Sequence, residues 1–330
     1  MSQITLKLTD NRQVAVVRGI YFWLAIGASL FMYFVLFSYV LHKPQTIGRS
    51  RELFISKDLA LHEHAANRKI ILLGGSNVRT SHSASLVEEI IGLPTVNMGV
   101  SAGLSIDFQL NRIKPYLQQG DLLYLPLEYG QLARDRKAVF SGAEAPYVVG
   151  YEKSALKDFS FMRKLHAYMY FDLNFAFSAL SEMSLSAMNF KRRITADDFN
   201  GWGDQTGHTL EKAEAYESYI DSTPANPTVA VDEGSYSAKA VVAFLDWASE
   251  SGVIVVGGYP TYAEGKPLSD EAEESLKVFY TSRGHYFLDL ENKGRYPKAH
   301  FFDTIYHLAE PYQLEHSRLV GIELKKLLNL

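Results

Sequence analysis

Hydrophobic residues are arranged in two patterns along this chain. The first is one unbroken stretch at residues 19–41, GIYFWLAIGASLFMYFVLFSYVL, which contains no charged residue. At 23 residues it is long enough to cross a hydrocarbon core about 30 Å thick. Tyr21, Phe22, Trp23 and Tyr39 stand near its ends, where aromatic rings suit the membrane interface. No small-residue cleavage motif follows Leu41, so the stretch reads as an anchor rather than a signal peptide. The second pattern begins at Ile70, where short aliphatic runs alternate with amphipathic segments. Residues 70–73, 95–98, 121–126, 252–257 and 285–289 predict five strands, and the purely aliphatic ones suit a parallel sheet covered on both faces. Residues 78–91, 104–117, 235–251 and 270–283 predict the intervening helices, and a last helix runs to Leu330. Strands alternating with helices predict an α/β fold, a three-layer α/β/α sandwich around a mainly parallel five-stranded sheet.

The alternation lapses over residues 130–234. An insertion after the third strand would lie over the carboxyl edge of the sheet, where ligands bind in such folds. Residues 154–189 read as mostly helical, and their Met, Phe and Tyr spacing reads as helix packing. Residues 195–208 read as loop, as do 223–227 with their two prolines. The expected organisation is a cytoplasmic tail at 1–18, a transmembrane helix at 19–41, a polar connector at 42–68 with a short helix around 59–66, and a domain at 69–330. Arg12 and Arg18 precede the span while Lys43, Arg49 and Arg51 follow it, so charge barely orients it. A short tail before a long domain fits an N-terminus in the cytoplasm.

Composition narrows the chemistry. With no cysteine, a thiol nucleophile, a Cys-ligated zinc site and disulfides are excluded. A net charge of −4 offers no general attraction for nucleic acid. The stretch Gly74-Gly75-Ser76-Asn77 ends the first strand with a tight turn and lifts one hydroxyl to a helix start, beside free backbone N–H groups. The plain alternative is a capping serine in an ordinary strand-to-helix turn. A reactive serine needs an imidazole to take its proton and an acid to orient that imidazole. Asp303 and His307, four residues apart in Phe-Phe-Asp-Thr-Ile-Tyr-His-Leu, are the candidates.

In combination these stretches resemble the SGNH (GDSL-like) hydrolase superfamily over residues 69–330. The turn at Ser76 resembles its first block, and Asn97-Met98-Gly99-Val100-Ser101-Ala102-Gly103 its second. Asp303 and His307 resemble its last block. With an N-terminal anchor, the likeness is to the branch found in bacterial envelope polysaccharide assembly. It implies Ser76 as nucleophile, His307 as proton relay and Asp303 as its orienter. It also implies an oxyanion hole from backbone groups of Ser76 and of Ala102 or Gly103, with Asn77 as a further donor. Gly75, Gly99 and Glu128 would line the site. The family spaces its Asp three before the His, against four here, and commonly has Gly where Ala102 stands. Its third block supplies an Asn, where this chain has Glu128 in Pro126-Leu127-Glu128-Tyr129. A carboxylate there would oppose a developing oxyanion, and the loss of one such donor costs about 10²–10³ in rate.

The resemblance implies a serine esterase or acyltransferase acting on acyl groups, acetyl foremost, of an envelope polysaccharide. No metal or organic cofactor is implied. The expected location is the inner membrane, single-pass, with the domain on the periplasmic or outer side. Expected partners are the acylated glycan, the bilayer, and a membrane-embedded acyltransferase or polymer-assembly complex. The alternative is a catalytically inactive SGNH fold serving such a complex as a binding or scaffolding subunit.

Overall fold

The computed structural model describes residues 2–43, 45–65, 68–140, 142–188, 195–223, 230–265 and 269–330. They form two compact units, Met1–Gly48 with Phe171–Lys191, and Arg49–Tyr170 with Arg192–Leu330. The smaller unit holds helix α1 (Ser2–Val40), whose stretch Val14–Val40 is long and apolar enough to cross a membrane.

Next come α2 (Gln45–Glu63), β1 (Ile70–Leu72), α3 (Ser76–Ser81), α4 (Ala84–Ile91), β2 (Thr95–Asn97), α5 (Ile106–Ile113) and β3 (Leu122–Leu125). Helices α6 (Phe161–Met169) and α7 (Leu173–Ala187) follow, α7 belonging to the smaller unit. The chain continues with α8 (Tyr236–Ser251), β4 (Ile254–Gly258), β5 (Tyr262–Ala263), α9 (Asp270–Thr281), β6 (Tyr286–Leu288), β7 (Arg295–Tyr296) and α10 (Glu310–Leu327). Short helical turns fill much of residues 129–158.

The five predicted strands pair in the order β2-β1-β3-β4-β6, all parallel. Alternate strand residues point to opposite faces, and both sets are buried in β1, β2 and β3. Ile71, Leu123 and Val255 cluster with Ile106 and Leu110 of α5, Val241 and Phe244 of α8 and Phe279 of α9. Ile70, Leu72, Leu122 and Tyr124 cluster with Val87 of α4 and Val320 and Leu324 of α10. At the amino end, Lys69 Nζ meets Asp121 Oδ2 at 2.6 Å with both side chains fully buried, which ties the start of β1 to that of β3. A separate parallel pair, β5 and β7, contributes Tyr262 and Tyr296 to a small cluster with Phe301, Ile305 and Leu308 of the Asp303 loop.

The structure departs from the sequence reading in three places. The helix expected over 78–91 is two helices, because His82 is extended and Ser83 restarts the chain as the cap of α4. Asp204, from the insertion, accepts hydrogen bonds from Ser83 Oγ and from the amides of Ala84 and Ser85, and so fixes the break. The connector carries a 19-residue helix, α2, in place of the short one expected around 59–66. Its Phe54 and Leu61 are buried, so one face of this polar segment packs against the protein. The insertion also divides, with Phe171–Lys191 clustering with α1. Most of the loop expected at 223–227 lies outside the described residues.

Candidate active site

Sheet register sets the centre of the site. Leu72 of β1 pairs with Tyr124 of β3, so Ser76 and Glu128, each four residues further on, leave the sheet side by side. The strand order reverses between these two strands, with β2 on one side and β4 on the other. A crevice at the carboxyl ends is expected at that point. Ser76 opens α3, and its hydroxyl donates to Glu128 Oε1 across a long 3.4 Å. The amide of Asn77 donates to the same oxygen at 3.2 Å. Gly75 makes the approach feasible: a β-carbon there would lie 2.6 Å from Glu128 Oε1 and 3.0 Å from the amide nitrogen of Ala102.

That geometry brings the second block to the serine turn through Ala102. Gly103, the other candidate oxyanion donor, gives its amide to Ser101 Oγ at 3.1 Å. The Asn77 side chain is turned away as well, donating to the carbonyl of Pro126 at 2.8 Å. Gly99 lies against α3, where a β-carbon would come within 2.7 Å of Val78 Cβ. Asn97 locks this arrangement by donating to the carbonyls of Val78 and His82 and accepting from the amide of Gly99. Lys57 of α2 reaches the same Asn97 at 3.3 Å. Burial lowers the Lys57 amine to about 7, against the opposing pull of Asp204.

The last block closes as a loop bridged by Phe301 and Leu308. His307 Nδ1 and Asp303 Oδ1 stand 2.6 Å apart, so the four-residue spacing forms the pair. Burial pushes the Asp303 carboxyl up, but the hydrogen bond and charge of His307, with Arg79 and His208, outweigh it and leave it below its usual value. An ionised Asp303 keeps the proton on Nδ1 and leaves Nε2 as an acceptor. Among the described residues no hydrogen bond joins His307 to Ser76. Ser76 is engaged with Glu128 instead. Burial raises the Glu128 carboxyl, only partly offset by His307, the Asn77 amide, Ser76 and Arg79.

Several residues that support the site were not singled out from sequence. Ser81, the last residue of α3, donates to the carbonyl of Tyr306 at 3.0 Å and accepts the amide of Leu308 at 2.9 Å. Thr261 bonds both Ser81 and that same carbonyl. From the insertion, Gln205 accepts from Arg79 at 2.9 Å and His208 bonds the carbonyl of Thr80 at 3.0 Å. None of these carries a motif, since each acts through backbone or neutral side-chain bonds to distant segments. Among the described residues no group of three or more His, Asp or Glu side chains could hold a metal ion. In comparison with known proteins, no family model matches the chain, and no curated protein matches it.

Proposed function

We propose that this chain is a membrane-anchored serine esterase or acyltransferase of SGNH type, a three-layer α/β/α domain acting on acyl esters of an envelope polysaccharide. The anchor is α1, with the domain on the periplasmic or outer side. The observation that carries the reading is the clamp of Ser81 on both sides of His307: one six-residue helix begins with the nucleophile and ends by holding the base.

In this reading His307, oriented by Asp303, takes the proton of Ser76 as Oγ attacks the acyl carbonyl and passes it to the leaving hydroxyl. It then takes the proton of the arriving water or sugar hydroxyl and returns it to Ser76 as the acyl group departs. The amides of Ser76 and Ala102 face the oxyanion, since Gly103 and the Asn77 side chain are committed elsewhere. Hydrolysis and transfer to a sugar hydroxyl share the acyl-enzyme. A fluorophosphonate probe tests the proposal. Wild-type protein in detergent should label, and Ser76→Ala and His307→Ala should not. Labelling that persists in Ser76→Ala would place the chemistry elsewhere.

A second reading is favoured by Glu128, whose Oε1 takes up both the Ser76 hydroxyl and the Asn77 amide. A site so occupied suits a binding or scaffolding subunit of an acyltransferase or polymer-assembly complex. It predicts no labelling in wild type, and retained glycan or partner binding in Ser76→Ala.

A further inference from the structure

We infer that α7 is a second membrane-binding element, a helix lying in the lipid interface beside the anchor, with the bilayer itself as its ligand. The inference rests on the reading of α1 as a membrane anchor. Within the smaller unit the approach to α7 packs on the last two turns of α1. Tyr33 donates its hydroxyl to the carbonyl of Phe171 at 2.6 Å, while the Phe37 ring meets Phe171 edge-on and stacks on Phe175 at 6.5 Å. Tyr33 precedes the last residue of α1, Val40, by seven positions, about 10 Å along the axis at 1.5 Å per residue. If Val40 marks the edge of the hydrocarbon, the contact lies at the depth reached by interfacial helices, about 5–10 Å.

The sequence of α7 suits that depth. Over LNFAFSALSEMSLSA the one charged residue is Glu182. At 15 residues the helix is about 22 Å long, too short to span about 30 Å of hydrocarbon. Ala176 and Ala179, three apart and buried, are the small residues that allow helices to approach closely in lipid. Leu173, Phe177 and Leu180, spaced four and three apart, form an apolar stripe exposed by 60%, 68% and 39%. Phe34, next to Tyr33 on α1, is 63% exposed. The same hydrocarbon that covers Phe34 would cover this stripe.

The chain has no cysteine, so one introduced thiol carries a label without competition. Full-length protein would be reconstituted in phosphatidylcholine–phosphatidylglycerol vesicles with an NBD fluorophore at Phe177→Cys. Parallel samples would carry it at Phe34→Cys on the anchor and at Ile322→Cys on α10, with Leu173→Cys as a substitute if Phe177→Cys does not fold. Lipids bearing a nitroxide high on the acyl chain should quench positions 177 and 34 to a comparable degree and leave 322 bright. Quenching at 34 with a bright, iodide-accessible probe at 177 would overturn the inference and leave the anchor standing. Absence of quenching at 34 would overturn the anchor reading, and with it this one. Shielding of 177 from both lipid nitroxide and iodide would assign the stripe to a second copy or another protein, and would equally overturn it.

Discussion

Ser81 Oγ accepts the amide of Leu308 at 2.9 Å, a hydrogen bond that ties the helix of the candidate nucleophile to the loop of its candidate base. Removing it in Ser81→Ala leaves that buried amide without its acceptor, at a cost of about 1–3 kcal/mol. His307 would lose its fixed position, so fluorophosphonate labelling of Ser76 should slow by at least about tenfold, roughly 1.4 kcal/mol in the barrier, in protein that is still folded by circular dichroism. Unchanged labelling would mean that the clamp is structural only.

Glu128 should show itself in the pH dependence. Its carboxyl is raised by burial, so the neutral form persists to higher pH than for an ordinary glutamate. On the proposed function, an ionised Glu128 places a negative charge beside the developing oxyanion. Ester turnover should therefore fall as pH rises through that raised value. Glu128→Gln keeps an acceptor for the Asn77 amide and removes the charge. It should abolish the fall and exceed wild type by about tenfold or more on the alkaline side, part of the 10²–10³ that one oxyanion contact commands. Parallel pH–rate profiles for the two proteins would remove Glu128 from the oxyanion site.

The strands were legible as short apolar runs between turn signals, and most plainly β1 and β3, whose residues are buried on both faces whatever covers them. The Ser76 turn and the Asp303–His307 pair were legible as local motifs, and adjacent parallel strands then bring Ser76 and Glu128 together. The break at His82 was not legible, because Asp204 imposes it from about 120 residues away. Nor was the departure of α7 from the rest of the insertion: a stripe such as Leu173, Phe177 and Leu180 has the same period whether it meets protein or lipid. The clamp at Ser81 is likewise silent in sequence, being one serine among many until the chain folds back on it.

The buried pair of Lys69 and Asp121 should behave as a linked unit. Asp121→Asn leaves the ammonium of Lys69 without its counter-charge, a loss of about 3–5 kcal/mol for a pair so deeply buried. Adding Lys69→Met to Asp121→Asn removes the unpaired ammonium while the Asn oxygen can still accept the amide of residue 69, and should recover most of that loss. Urea unfolding midpoints of the three proteins would decide it, and a single variant within about 0.5 kcal/mol of wild type would show that the ion pair contributes little.

Acid should destabilise the domain through two buried imidazoles. His316 Nε2 lies 3.2 Å from His82 Nε2, and Tyr296 bonds the other His316 nitrogen at 2.8 Å. Burial lowers His82 to about 4, opposed by the nearby Asn77 backbone, and lowers His316 well below its usual value, helped by repulsion from His82. Unfolded histidines take up protons near pH 6.5, so both contribute full stability above that value and lose it as pH falls toward 4. The loss from His82 alone is on the order of 3 kcal/mol. His316→Gln should reduce the drop in denaturation midpoint between pH 7 and pH 4.5. An equal drop in the variant would shift the cause to other groups.

Ser81 and Tyr306 are separated by 225 residues, and that distance orders events in time. A chain threaded out of the cytoplasm from its anchor onward would present Ser76 long before His307 has been made. If His307 is its base, the serine lacks one until the Asp303 loop closes and α10 seats Val320 and Leu324 on β1. On the proposed function, the nascent protein is chemically silent while its own envelope is being crossed, and becomes reactive when its last helix docks. Ribosome-stalled chains ending before residue 303 should ignore fluorophosphonate, and chains released with α10 complete should react. Reaction of the shorter chains would show that the serine needs nothing from the C-terminal loop.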